Sequence, residues 1–254
     1  MRTRLTWLQK PVDVPVYTEI APVYDRMMDH VDYAEWADYI HTLFKQFGMD
    51  IKWVIDGGCG TGSLALYLSK MGYRVAGFDR SLEMTQFASK KQSLPFWQGD
   101  LTALPLSKQW DAFLSIYDSV QYLSLESFKK WLIETVKILK EKGLVIFDVV
   151  TEKHVRNEWA NFYEKDRWKE TELKRRSWYD KKNRIQHTEI EMTLLHENKV
   201  YQEHHRQNIY PLHELESVIK ECGLRQLGKF SGYTLRPGNE QSDRVHFVLR
   251  QEHT

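Results

Sequence analysis

A β-branched stretch, Trp53-Val54-Ile55, runs straight into Asp56-Gly57-Gly58-Cys59-Gly60-Thr61-Gly62, and a helix-forming segment begins at Ser63. Glycines at 58, 60 and 62 let the backbone turn sharply and pass close to a ligand with no Cβ in the way. The first N–H groups of the following helix are then free to meet a polar group. Strand, bend and helix make the first half of a crossover unit, which calls for a parallel sheet covered by helices. The dinucleotide pattern Gly-x-Gly-x-x-Gly is poorly matched, because these glycines are evenly spaced and an acid leads them. A carboxylate in that place suits a cationic amine or sulfonium and would repel a pyrophosphate.

The rhythm continues downstream. Strands are expected at Tyr73–Phe78, Pro95–Gln98, Ala112–Ile116 and Leu144–Val149, alternating with helices at Leu82–Lys91 and Leu125–Leu139. Upstream, the first fifteen residues read as an irregular arm. A helix is expected over Tyr17–Tyr24, resuming over Tyr33–Phe47, where Trp36, Ile40, Leu43 and Phe44 fall at helical spacing. After Val150 the pattern changes. A helical piece through Trp159 and Phe162 leads into antiparallel strands at Glu170–Tyr179, Arg184–His196 and Lys199–Tyr210, with Thr188, Ile190, Met192 and Leu194 at the two-residue period of a half-buried strand. A helix at Leu212–Cys222 and strands near Gln226–Gly232 and Arg244–Leu249 close the chain. The division expected is an arm and helical lid (1–50), an α/β core (51–150), a mostly antiparallel insertion (151–210) and a helix with strands completing the core sheet (211–254).

Two acids end strands of the core. Asp79 closes Val75-Ala-Gly-Phe-Asp79, where a carboxylate can accept two hydrogen bonds from a ribose diol, and Asp100 follows the third strand in Gly99-Asp100-Leu101. With the bend at 56–62, this order resembles the class I S-adenosylmethionine-dependent methyltransferases. The stretch Tyr17-x-x-Ile20-Ala21-x-x-Tyr24-Asp25-x-Met27-Met28 then looks like the helical lid of a small-molecule branch, similar to methyltransferase domain 25 proteins and aminosugar N,N-dimethyltransferases. The resemblance implies a Rossmann-like seven-stranded α/β sheet with helices on both faces, plus the small antiparallel insertion as a roof over the acceptor. It implies S-adenosyl-L-methionine as cofactor, held by Tyr17, Tyr24, Asp56, Gly57, Gly58, Gly60, Asp79, Arg80, Met84, Asp100, Leu101 and Tyr117, with Trp36 nearby. The same aromatics would also serve simply to pin the lid to the core. Two positions depart from relatives: Arg80 stands where a small or apolar residue is frequent, and Gln121 where an Asn precedes the aromatic.

The reaction expected is transfer of a methyl group to an N or O atom of a small molecule. An activated methyl donor needs alignment and exclusion of water more than a nucleophile, so Cys59 is read as a small residue in the bend. Asp118 is the first candidate for base or acceptor anchor, with His204 and His205 next. The alternatives are an RNA (tRNA) methyltransferase of the same fold, using Lys174-Arg175-Arg176 and Lys181, Lys182 and Arg184 on the phosphate backbone, or a module that binds the cofactor without transfer. A net charge of +1 supplies no long-range field for nucleic acid or anionic lipid. The two cysteines lack metal-site spacing, so no metal is expected. Nothing reaches the roughly 18 apolar residues of a membrane span, and Met1–Pro15 has no signal-peptide core, so the expectation is a cytoplasmic protein with no membrane partner. The acceptor and the oligomeric state stay open.

Overall fold

The computed structural model describes residues 10–48, 50–107 and 109–251. In chain order, β1 (Val12–Asp13) precedes a 3-10 turn at Ala21–Val23, α1 (Tyr24–Met27) and α2 (Tyr33–Phe47). The core follows as β2 (Trp53–Gly57), α3 (Ser63–Lys70), β3 (Arg74–Asp79), α4 (Leu82–Lys91), β4 (Phe96–Gln98), β5 (Trp110–Ser115), α5 (Leu125–Ile138) and β6 (Leu139–Val150). Then come α6 (Glu152–His154), a π turn at Val155–Trp159, β7 (Asn161–Trp168), β8 (Thr171–Asp180), β9 (Ile185–Leu194) and β10 (Lys199–Asn208). The last elements are α7 (Leu212–Glu221), β11 (Leu224–Ser231) and β12 (Arg244–Gln251).

One sheet has seven strands in the order β11-β12-β6-β5-β2-β3-β4. Strands β2 to β6 run parallel, and β12 inserts antiparallel between β6 and β11. Because both faces are covered, the central strands are mostly apolar, with Asp56 and Asp148 as buried exceptions. On β6, Val145, Phe147 and Val149 pack against α5 and α7 through Trp131, Leu132 and Leu215. Leu144 and Ile146 face α2 and α3 through Ile40, Leu43 and Leu68. The chain leaves β2 toward β3 on one side, whereas β5 lies on the other. This is the reversal point of an open α/β sheet, outside whose strand ends ligands bind.

The second sheet has the order β1-β10-β9-β8-β7. Thr188, Ile190 and Met192 are buried on its inner face, as the two-residue period requires. Three expectations need correction. Residues 161–168, expected to begin in helix, form the edge strand β7. Their mostly exposed side chains hide the alternation, and pairing with β8, helped by the ion pairs Lys165–Glu172 (3.0 Å) and Arg175–Glu164 (2.8 Å), holds them extended. Of the arm, residues 1–9 lie outside the described residues, while Val12–Asp13 pair in parallel with β10. The helix expected over Tyr17–Tyr24 begins only at Ala21. Tyr17 has φ +64°, and the N–H groups of Tyr17, Glu19 and Ile20 go to the Glu203 carboxylate rather than to carbonyls of their own helix. Among the described residues no helix is long and apolar enough to cross a membrane.

Phe147 and Phe247 stack at 4.8 Å across β6 and β12, both fully buried. Replacing Phe147 by Ala should cost about 3–5 kcal/mol, read as a lower urea midpoint at unchanged slope.

Candidate cofactor and acceptor site

The glycine bend closes back on the end of β3. Gly58 and Cys59 donate their N–H groups to the Phe78 carbonyl at 2.8 and 3.0 Å, and Gly60 donates to Asp79 Oδ2 at 2.9 Å. Gly58 has φ +80°, and a Cβ there would stand 2.8 Å from Ser119 Oγ; Gly60 has φ +54° and faces only the Tyr24 ring, at 3.8 Å. Gly57, expected to meet the cofactor, does not line the cavity. A Cβ there would strike the Phe113 ring at 2.7 Å, so its lack of a side chain serves core packing.

A cavity of about 810 Å³ opens along the strand ends, bounded below by this bend and above by the second sheet. Asp56, Asp79, Asp100, Leu101, Met84, Arg80 and Tyr117 line it, together with Tyr17 and Tyr24 of the lid. Asp79 Oδ1 accepts the Ser81 N–H (2.9 Å), so each oxygen holds one backbone donor and keeps lone pairs for a diol. Burial raises its pKa, opposed by those N–H groups. Asp56 is 2% exposed, and burial, with a lesser push from the charge on Asp79, moves its carboxyl up to about 7. A buried acid in that state is suited to a cationic ligand. Asp100 accepts Thr102 N–H and Oγ1–H through Oδ1 (2.7 and 2.8 Å). Burial raises its pKa, but the Thr102 bonds with the charges of Arg80 and Lys130 outweigh it, and the net shift is downward. Arg80 thus acts on the acid after β4.

The lid is fastened at three points. Ser81 Oγ donates to the Tyr17 carbonyl (2.8 Å) while capping α4. Asp25 accepts from Thr61 Oγ1 of the bend and pairs with Lys91 (2.8 Å). Glu203 of β10, 1% exposed, takes Tyr17, Glu19 and Ile20 N–H at 2.7, 3.1 and 3.2 Å.

At the acceptor end the sequence-derived candidates are redistributed. Asp118 lines the cavity but is not a free base, since it is paired with Arg244 (2.8 Å) and accepts from the Gln207 amide. Arg244 also bonds fully buried Asp148, whose other contacts are the N–H groups of Tyr117 and Asp118, and packs over the Tyr117 ring at 4.8 Å. His204 is on the outer face of its sheet, stacked on His187 and Trp178, and does not reach the cavity. His205, one residue on and therefore on the opposite face, does. Its Nδ1 lies 3.0 Å from Tyr122 Oη, which is 2.7 Å from Tyr17 Oη, and its Nε2 is 3.2 Å from Glu203. Gln121 is buried away from the cavity, bonding Val150 and the Asn208 carbonyl. Trp36 is 1% exposed behind Tyr117 and reaches the cavity lining. Among the described residues no cluster of three His, Cys, Asp or Glu side chains could hold a metal ion.

Seven strands in this order, an acid-led glycine bend, an acid ending β3 and an acid just after β4 define a class I S-adenosylmethionine-dependent methyltransferase. Residues 54–143 match the family profile described as a methyltransferase domain. The chain is 26% identical over 259 residues to the Bacillus subtilis (strain 168) protein YqeM, which bears a provisional methyltransferase name, covering 94% of this chain and 98% of that one. Among solved structures it is similar in fold to an S-adenosylmethionine-dependent methyltransferase from Clostridium acetobutylicum ATCC 824, at TM-score 0.80, 22% identity and coverage of 92% and 98%. It is also similar to the sugar N-methyltransferase KedS8 from Streptoalloteichus sp ATCC 53650, at TM-score 0.75, 15% identity and 99% of both chains. The protein is an S-adenosylmethionine-dependent methyltransferase, and S-adenosyl-L-methionine is its cofactor.

The residues fit that cofactor. The cavity is of ligand size, the bend presents bare backbone, and two buried acids in its wall are chemically suited to a diol and a cation. Asp79→Asn should weaken S-adenosylmethionine binding about tenfold or more, since a hydrogen bond to a charged group contributes about 1.5–3 kcal/mol; calorimetry checks this, with circular dichroism as the folding control. Asp56 sets a pH dependence. Its folded pKa stands above that of a free carboxyl, so its contribution to stability is full at low pH and fades as pH rises through about 7. A cationic ligand reverses that preference. Affinity should therefore rise as pH rises through about 7, with proton release on binding, and Asp56→Asn should flatten the profile.

Proposed function

We propose that this enzyme methylates an N or O atom of a small metabolite enclosed between the lid and the insertion, in a cytoplasmic setting. The observation that carries the reading is a hydrogen-bonded chain that ends in the roofed cavity: Glu203, His205, Tyr122 Oη and Tyr17 Oη. Glu203 fixes the His205 tautomer with the proton on Nε2, so Nδ1 accepts from Tyr122 Oη–H and Tyr122 accepts from Tyr17 Oη–H. The open end is then the Tyr17 oxygen. Burial, foremost, raises both phenol pKa values, so each works as a hydroxyl that passes a proton rather than as a phenolate.

The bound cofactor supplies a methyl group already activated by a sulfonium. What the chain contributes is placement and proton removal. Asp56, Asp79 and Asp100 hold the donor at the strand ends, while Tyr17 and Tyr24 exclude water. Arg244 and Gln207 hold Asp118 at the cavity wall, where it is suited to orienting the acceptor rather than deprotonating it. The proton lost by the acceptor passes through the two hydroxyls to His205 Nδ1, and the Glu203 carboxylate beside Nε2 stabilises the imidazolium. The sugar N-methyltransferase neighbour, whose chain is spanned end to end, favours an amine acceptor.

RNA is disfavoured by the fate of the basic hairpin. Lys174 pairs with Glu191 (2.6 Å), Arg175 points inward and Arg184 is taken up by Glu152 and the Ile209 carbonyl, so three of the six basic residues are already engaged within the protein. Methyl label from S-adenosylmethionine, offered a low-mass metabolite extract and a tRNA pool in parallel, should enter the former; label confined to RNA would overturn the reading. His205→Gln should lower incorporation about a hundredfold near neutral pH, with partial recovery at alkaline pH and unchanged affinity for S-adenosylhomocysteine. A uniform loss at every pH would remove the relay.

A further inference from the structure

We propose that the roof of this cavity carries a subsite for an oxyanion, a phosphate or carboxylate of the acceptor, built on the Arg175 guanidinium of β8. The proposal rests on the small-molecule reading above and names the chemical class that reading leaves open.

Arg175 lies on the inner face of β8, between buried Leu173 and Ser177, and lines the same cavity as Asp56 and Asp79. Its side chain is 12% exposed. The Trp159 and Phe162 rings lie 5.5 and 5.0 Å from the guanidinium carbon, so the cation is packed in place. Glu164, 45% exposed, occupies Nη2 at 2.8 Å from the solvent side. Nε is buried and has no hydrogen-bond partner. A guanidinium carries five N–H donors in one plane, and a single carboxylate contact at Nη2 leaves it donors for a further acceptor. The planar fork fits a carboxylate or phosphate edge-on.

The other buried arginines differ. Arg244 is saturated by Asp118 and Asp148. Arg250 also has an unpartnered Nε, but it bonds the Phe47 carbonyl and lies away from the cavity. Arg175 therefore combines a nearly buried cation, an ion pair made through Nη2 and a place in the cavity wall. Its position is also apt. It pairs across the strands with Ile190, next along β9 from Thr188 on the same face, and both line the cavity. Its charge is felt by the Tyr117 phenol, at the end of β5. The cavity is thus polarised, with acids at the cofactor end to receive a cation and a cation in the roof to receive an anion.

The test uses the whole protein saturated with S-adenosylhomocysteine and titrated calorimetrically with inorganic phosphate, pyrophosphate and malonate. At least one anion should bind with a dissociation constant of about a millimolar or tighter, and the preferred one separates phosphate from carboxylate. Arg175→Gln should weaken that binding about tenfold or more and Arg175→Lys less, with S-adenosylhomocysteine affinity unchanged in both. No binding of any of the three up to about 20 mM, or equal binding to Arg175→Gln, overturns the subsite. Failure of S-adenosylhomocysteine itself to bind would overturn the cofactor reading and this proposal together. Labelled product made from the metabolite extract should also be retained on an anion exchanger at neutral pH. Label in the flow-through would overturn the subsite while leaving methyl transfer intact.

Discussion

The carboxylate of Asp79 ties together most of what makes this cleft. One oxygen holds Gly60 N–H and so fixes the bend after β2; the other holds Ser81 N–H and fixes the start of α4. Ser81 in turn grips the Tyr17 carbonyl, which seats the lid. One buried acid thus couples the bend, the second crossover helix and the cover, and its remaining lone pairs face the cavity. A strand end can do this because the parallel sheet delivers β2 and β3 side by side, with Gly57 opposite Phe78.

The second sheet plays the matching part from above. Glu203 and His205 alternate inward on β10 and meet the lid turn from the far side. Lid and roof therefore share a carboxylate, and closing the lid places Tyr17 Oη against Tyr122. Enclosure and the proposed proton path rest on the same set of contacts. Such a design favours an acceptor small enough to be surrounded, since leaving the lid open would take Tyr17 out of the chain of hydroxyls.

What was legible in the sequence was local. The bend at 56–62, the acids ending β3 and following β4, and the burial period of β9 each follow from short-range chemistry: glycine at positive φ, carboxylates at strand ends, alternation on a half-covered sheet. What was hidden depended on distant partners. Tyr17 leaves helical geometry because Glu203, 186 residues away, takes its N–H. His205 rather than His204 faces the cavity because strand register decides parity, and a slip of one residue reverses the face. Glu203, His205 and Gln207 are polar on the inner face, the reverse of the usual pattern, and this inversion was the signal available in the sequence. β7 gave none, being a polar edge strand held by its ladder. Asp118 looked like a base while Arg244, 126 residues on, was out of sight.

The central claim is that one cofactor-filled cleft is sealed by the lid through Asp79, Ser81 and Glu203. Hydrogen–deuterium exchange with and without S-adenosylhomocysteine tests it most directly. The account expects slower exchange together in the bend at 58–62 and the lid turn at 17–28, with the outer strand β7 unchanged. Equal exchange in both segments with saturating ligand would contradict it.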